Sequence, residues 1–327
     1  MHTRKSLIAL VAAIVLSACG ASTTPTPVSG GPSKVDSIAS EVPDAIKKLS
    51  PLQVATDATY APNEFVNPDT GAIQGWDIDF GNALCRVMGL VCTFNNVTFD
   101  DIIAQLKAST PSEVAGGDKP RYSFSISSWT PTQKRETGGI DFITYYKAGE
   151  AWLVKAGGPT ISSAADMCGH SVAVEMGTTE ESDAWGFMGK AVGGTSLPGD
   201  TNNCTTAGKA DITVLSFGTQ TEANSALMSG RAQFGWLDQP VAGYQVTQTN
   251  GKLKLAGQAC SVSPYGIALV KGSPMEQAMT DAVKYVMDHG YYTTILQHWG
   301  VQSGAITSAD VALNNNNSIG NSCVPSY

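Results

Sequence analysis

No block of lysine and arginine occurs anywhere along the 327 residues. Nucleic acids and anionic membrane surfaces are met by such blocks, so neither is an expected partner. The chain carries 20 basic and 28 acidic residues. Without residues 1–18, which hold Arg4 and Lys5, the balance becomes 18 − 28 = −10. There is no CxxC motif, and the four histidines (His2, His170, His289, His298) form no ligand pattern. No metal or other cofactor is therefore expected. Past the N-terminus no apolar stretch is long enough to cross a bilayer. A serine–histidine–aspartate arrangement is also lacking.

The N-terminus holds the one conspicuous apolar run. Arg4 and Lys5 precede Ser6 to Leu16, which is too short for a mature spanning helix. It ends in Leu16-Ser17-Ala18-Cys19, small residues before a cysteine, and this resembles the lipobox of bacterial lipoproteins. That resemblance implies a signal peptide over 1–18 and a lipid on Cys19. Residues 19–34 are rich in Ser, Thr, Pro and Gly with almost no charge, a composition that makes a flexible tether. An anchor followed by a tether places the expected protein at the outer face of the membrane.

Six further cysteines remain: Cys85, Cys92, Cys168, Cys204, Cys260 and Cys323. An even number in an exported chain suggests disulfides. Six allow 15 pairings. Spacing favours neighbours, Cys85–Cys92, Cys168–Cys204 and Cys260–Cys323, the last fastening the C-terminal tail.

The remaining 327 − 18 = 309 residues suffice for one large or two medium domains. Leu52 to Thr56 reads as a strand, followed by a loop from Asp57 to Pro62. Phe65-Val66 and Ala72-Ile73 flank a turn and suggest a hairpin. A helix follows Gly75 and stops at Gly89. Val91 to Val97 is a strand, Phe99 opens a helix, and residues 111–121 form a Pro/Gly-interrupted insertion before Tyr122, Phe124 and Ile126. Ile140 to Tyr146 and Ala151 to Val154 are read as two extended pieces. The pattern then restarts. Ser171 to Glu175 is a strand with Gly177-Thr178-Thr179 at its end, and Asp211 to Phe217, Thr221 to Met228 and Gln233 to Asp238 repeat strand, helix, strand. Tyr265 to Val270 is a late strand, and two helices end at Gly300. Strands alternating with helices, twice over, make a doubly wound α/β pattern in which ligands meet the C-terminal ends of strands.

Ser127-Ser128-Trp129-Thr130-Pro131-Thr132-Gln133-Lys134-Arg135 stands at one such end. Three hydroxyls (Ser127, Ser128, Thr130) and an arginine five residues after Thr130 make a receptor for a carboxylate, since guanidinium matches that anion with two prongs.

Taken together these segments resemble an extracellular solute-binding protein of an ABC importer, in the polar amino-acid-binding group (bacterial solute-binding protein family 3). The resemblance rests on Thr56 to Pro62; Gly75-Trp76-Asp77-Ile78-Asp79; Phe99 with Ile102-Ile103; Ser127 to Arg135; and Asp141-Phe142 with Tyr145-Tyr146. It continues through Gly177 to Thr179; Gly230-Arg231 with Leu237-Asp238; Tyr265 to Ala268; and Gly290-Tyr291 through Trp299-Gly300. It implies an α/β, two-lobe periplasmic-binding-protein-like fold with the ligand cleft between lobes joined by two crossings. Lobe 1 would be 50–150 plus 262–327, and lobe 2 would be 151–261. It also implies a monomer that closes on a free amino acid and delivers it to a membrane permease.

By the same resemblance Arg135 clamps the ligand's α-carboxylate. Ser128 and Thr130 bind its carboxylate and ammonium groups. Thr179, beside Thr178, meets the carboxylate from lobe 2. Asp238 holds the ammonium group, and Tyr60 and Phe99 sandwich the side chain. Trp129 is bulkier than the aliphatic residue expected there, and is either a core residue or a wall of the pocket. Asp57 and Glu175, at strand ends that face the cleft in this family, suit a basic or polar ligand. A sensor for a membrane receptor would use the same closure. A cyclohexadienyl-type dehydratase on this fold would need an acid or base in the cleft, for which Glu175 is the candidate.

Overall fold

A computed structural model describes residues 30–110, 112–113, 119–318 and 322–323. The expected signal segment 1–18, Cys19 and most of the tether lie outside the described residues, as does much of the insertion at 111–121.

Among the described residues twelve strands form two sheets: β1 Leu52–Thr56, β2 Thr59–Tyr60, β3 Glu64–Val66, β4 Ile73–Gln74, β5 Cys92–Asn96, β6 Phe124–Trp129, β7 Ile140–Lys155, β8 Ser171–Glu175, β9 Thr213–Phe217, β10 Phe234–Asp238, β11 Leu253–Leu255 and β12 Cys260–Val270. The large sheet has the order β5-β1-β6-β12-β7-β10-β8-β9, with β11 also on β7. β2, β3 and β4 form the small antiparallel sheet, with Phe65 opposite Gln74 and Val66 opposite Ile73. That is the hairpin expected from its turn-rich connection.

The two ends of the large sheet each carry the parallel pairs of a wound α/β unit. β1 runs parallel to β5 and β6 at one end, and β8 runs parallel to β9 and β10 at the other. Between them lie two long antiparallel strands. β7 pairs with β12 along its first part, Tyr146 facing Tyr265, and with β10 and β11 along its last, Trp152 facing Trp236. β7 is thus one strand of 16 residues, where the sequence reads as two extended pieces. Lys147 to Glu150 carry little strand signal themselves. Their partners, Cys260 to Pro264, supply the missing hydrogen bonds from 110 residues downstream. Gly149 is needed there because a Cβ would meet the Cys260 carbonyl oxygen at 3.0 Å.

Each end of the sheet has its own core. One is built on Leu52, Val54, Trp76, Phe80, Phe124 and Tyr145, with the helix Glu276–Asp288 packed over it. The other is built on Trp152, Val172, Val174, Phe234 and Trp236. The fold is therefore two α/β lobes joined by β7 and β12. The helices follow from apolar spacing and from their ends. Trp76–Val87 buries Ile78, Phe80, Ala83 and Leu84 on one face, and Gly89 closes it at φ 70°. Thr132, Thr178 and Thr219 each cap a helix by accepting the backbone N–H three residues on.

Among the described residues three disulfides join Cys85 to Cys92, Cys168 to Cys204 and Cys260 to Cys323. The last draws the C-terminal tail to the start of β12. Before that, the tail runs along β7, where Asn314 donates its backbone N–H to the Phe142 carbonyl.

Candidate binding site

The seam between the lobes forms a narrow cleft lined by Tyr60, Phe99, Ser127, Ser128, Thr130, Arg135, Thr178, Thr179, Glu180 and Asp238. Nine of these ten positions are expected from the sequence. They arrive from six separate segments. β6 ends at Trp129, so Ser127 and Ser128 occupy the last strand residues rather than the loop after it. Thr132 caps the short helix Gln133–Thr137, which turns Arg135 back toward them. From the other lobe, Thr178 caps the helix Thr179–Gly186, and Asp238 ends β10.

Arg135 is the bridge between lobes. Its Nη1 donates to the Thr130 carbonyl at 2.6 Å and its Nη2 to the Gly177 carbonyl across the cleft at 2.8 Å. Its guanidinium lies over the rings of Trp129 (4.8 Å) and Phe99 (5.6 Å). Two carbonyls orient a guanidinium without neutralising it, and three of its five N–H groups remain. No described carboxylate comes within ion-pair distance of it. Burial lowers its pKa to about 10, against the pull of Glu180 and Asp238, so it stays charged at neutral pH. Gly177 permits the close approach: its φ is +79°, and a Cβ would strike Asp100 Oδ1 at 2.8 Å.

The aromatic residues divide into two roles. Phe99 and Tyr60 line the cleft. Trp129 is 1% exposed and stacks under Phe99 at 4.1 Å, its indole N–H donating to Ser125 Oγ. It serves as the platform beneath Phe99 and Arg135. Tyr60 belongs to lobe 1 by sequence but packs with Leu153, Leu227, Leu237 and Val241. A backbone bond from Gln220 to Thr59 Oγ1 reinforces this second meeting of the lobes.

Acidic groups crowd the site. Asp238 is held well above the usual carboxylate range by burial and then by the charge of Glu180. Glu180 is 2% exposed and raised by burial. One of its oxygens accepts from Thr179 at 3.2 Å, while Oε1 has no hydrogen-bond partner. Glu180 stands in the first turn of the helix Thr179–Gly186, and no local signal in the sequence separates it from the exposed acids that favour such positions. Asp57 lies behind the floor, accepting from Thr59 Oγ1 at 2.6 Å and from the Phe99 N–H at 2.8 Å. Burial raises it. Glu175 is 1% exposed, neither of its oxygens accepts a hydrogen bond, and it is raised strongly by burial and then by Asp57.

An array of one two-pronged cation, several buried acids and a ring of hydroxyls is a receptor for a small polar molecule carrying both signs of charge. The family model for bacterial extracellular solute-binding proteins, family 3, matches residues 52–302. The chain belongs to that family. Among its curated relatives is an arginine-binding protein of Corynebacterium glutamicum, 27% identical over 278 residues, covering 85% of this chain and 83% of that one. An ABC transporter glutamine-binding protein of Bacillus subtilis is 27% identical over 301 residues, covering 90% and 95%. Among solved structures, an ancestral arginine-binding protein bound to arginine superposes with a TM-score of 0.62 at 30% identity, covering 76% of this chain and 97% of the other. The family 3 match begins at β1 and ends just past the last long helix, so it takes in every residue that lines the cleft.

Proposed function

We propose that this family 3 solute-binding protein captures a free amino acid, basic in preference to neutral, by closing its lobes, and presents it to an ABC permease. The lobes in this reading are 50–150 with 262–327, and 151–261. Cys19 carries a lipid that holds the protein at the outer membrane face, and residues 19–34 are its tether. The protein acts as a monomer without a cofactor, and it is a binding protein, not an enzyme.

The observation that carries the reading is Arg135. Its position is set by one carbonyl from each lobe, and its charge is left for a ligand. The ligand's α-carboxylate takes the free N–H groups of Arg135, with Thr179 and the start of its helix on the far side. The α-ammonium group meets Asp238, with Ser128 and Thr130 beside it. Tyr60 and Phe99 enclose the side chain. Closure follows because no single lobe satisfies both charges. Basic ligands are favoured by bookkeeping of charge: one arginine faces Glu180 and Asp238, with Asp57 and Glu175 buried behind them. Neutral zwitterions leave that excess in place, whereas a ligand cation restores the ionised state of an acid that burial disfavours.

A thermal-shift panel of the twenty amino acids with ornithine and citrulline tests this. Ligand at 100 times its dissociation constant stabilises by ~2.7 kcal/mol. Arginine, lysine and ornithine are expected to raise the transition most. Silence from every amino acid removes the function, and a preference for glutamate or aspartate removes the charge argument.

A further inference from the structure

Beneath Ser127 and Ser128 lie two carboxyl groups that the binding scheme above does not use. Glu64, on β3, and Asp77, in the first turn of the helix Trp76–Val87, are both 0% exposed. Both converge on one hydroxyl: Ser128 Oγ lies 3.3 Å from Asp77 Oδ2 and 3.5 Å from Glu64 Oε2. Ser127 Oγ donates to Glu64 Oε1 at 3.0 Å. No described lysine, arginine or histidine pairs with either acid.

We propose that Glu64 and Asp77 hold one proton between them, and that this pair fixes Ser127 and Ser128 as hydrogen-bond acceptors toward the cleft, so that this floor takes a cationic group of the ligand. The proposal rests on the ligand-binding reading above and names the residues that set the polarity of its floor.

The donors and acceptors can be counted. Ser127 gives its proton to Glu64 and accepts the Asp57 N–H at 2.9 Å. Ser128 gives its proton to the acid pair and accepts from Asn63 Nδ2 at 2.8 Å. Asn63 is itself oriented by the Trp76 indole N–H at 2.6 Å. A hydroxyl has one donor and two acceptor sites. Each serine is therefore left with one lone pair and no proton, and can meet an ammonium or guanidinium but not a carboxylate. Asp77 Oδ2 accepts from Tyr145 (2.8 Å) and from the Ser128 backbone N–H (3.1 Å), while Oδ1 is buried and receives no protein donor. Glu64 and Asp77 share a side-chain hydrogen bond, and in this proposal its proton is the acid O–H of Glu64. The bond from Ser128 N also holds that residue at φ 51°, a left-handed conformation that is strained for a non-glycine residue.

Like charges in one buried site cannot both ionise. Burial, then Asp77, raises Glu64 well above the carboxylate range, and burial raises Asp77 to about 7 against its hydrogen bonds from Tyr145 and Ser128. The other titratable groups facing the pair are Asp57 and Tyr60 beside Glu64, and Tyr145, Tyr146 and Tyr292 beside Asp77. All three tyrosines beside Asp77, and Tyr60, are raised and stay neutral here. The sign follows. Above pH 7 the pair keeps one proton, on Glu64, and Ser128 donates to ionised Asp77. Below pH 7 a second proton arrives, an acid O–H turns onto Ser128 Oγ, and the lone pair facing the cleft is lost. Affinity for a cation falls as pH falls through 7.

The test is calorimetric titration of the full chain with L-arginine between pH 6 and 8, in the native protein, Glu64→Gln and Asp77→Asn. Native affinity is expected to weaken toward pH 6, by at most about tenfold per unit for one linked proton. Glu64→Gln, whose amide is a permanent donor to Asp77, should lessen this dependence, leaving the part that Asp238 and Glu180 contribute, and Asp77→Asn should bind weakly at every pH. Superimposable native and Glu64→Gln profiles would overturn the proposal, as would native-like binding by Asp77→Asn at pH 8. Infrared spectra without ligand supply an independent readout. Glu175 and Asp238 are raised as well and contribute equally to both proteins, so the readout is the native-minus-Glu64→Gln difference spectrum: it should contain a protonated-carboxyl band at pH 8, and its absence also overturns the proposal. If the band behaves as expected but no amino acid binds the native protein, the shared proton stands and the ligand reading fails.

Discussion

Replacing Arg135 with alanine is the most direct assault on the site. The guanidinium has five N–H groups, of which Thr130 O and Gly177 O use one each. The rest are available to the ligand carboxylate. Two charge-assisted bonds at ~1.5–3 kcal/mol each amount to ~3–6 kcal/mol. That is roughly two to four decades of affinity. The bridge to Gly177 is lost as well, so the closed form is disfavoured even before the ligand is counted. The lysine variant separates charge from shape. It keeps the positive charge but lacks the planar fork, and should lose about one to two decades. Titration calorimetry with L-arginine at pH 8 measures both. The unliganded fold should be little affected, by about 1 kcal/mol or less, because both carbonyls reach water once the lobes part. Thermal unfolding without ligand checks this. Native affinity in Arg135→Ala would refute the role given to the guanidinium, and a collapse of unliganded stability would show it to be structural instead.

Two further substitutions address specificity and stability. Glu175→Gln removes a buried carboxylate whose oxygens have no protein donor. It should lower affinity for L-arginine relative to L-glutamine by roughly one to two decades, and an unchanged ratio in parallel titrations would take Glu175 out of the specificity argument. Disulfide removal should scale with loop length. Replacing Cys260 and Cys323 by serine frees a 63-residue separation and should cost about 4 kcal/mol, against about 2 kcal/mol for Cys85 and Cys92 with a separation of 7. Denaturant unfolding measures both, and the reverse order would show that strain or packing outweighs chain entropy.

What the sequence determined by itself is local and periodic. Apolar spacing placed the helices, and alternation followed by glycine or hydroxyl residues placed the strand ends. Two runs of that pattern announced two lobes. The segment from Ser127 to Arg135 could be read because one strand and one capped turn bring its hydroxyls and arginine together within nine residues.

Tertiary structure decided what lies between distant segments. β7 became one strand only because Cys260 to Pro264 pair with its weakest stretch. Trp129 became a platform because Phe99 and Arg135 close over it. Glu64 and Asp77 resemble ordinary polar residues in a hairpin and a helix start, yet they converge with Ser127 and Ser128 from 51 to 64 positions away. Glu180 is buried, and not a solvated helix-start acid, where it lines the cleft opposite Tyr60, Phe99 and Arg135. No periodicity encodes such meetings. Burial and the pairing of donors with acceptors depend on which surfaces the chain brings face to face.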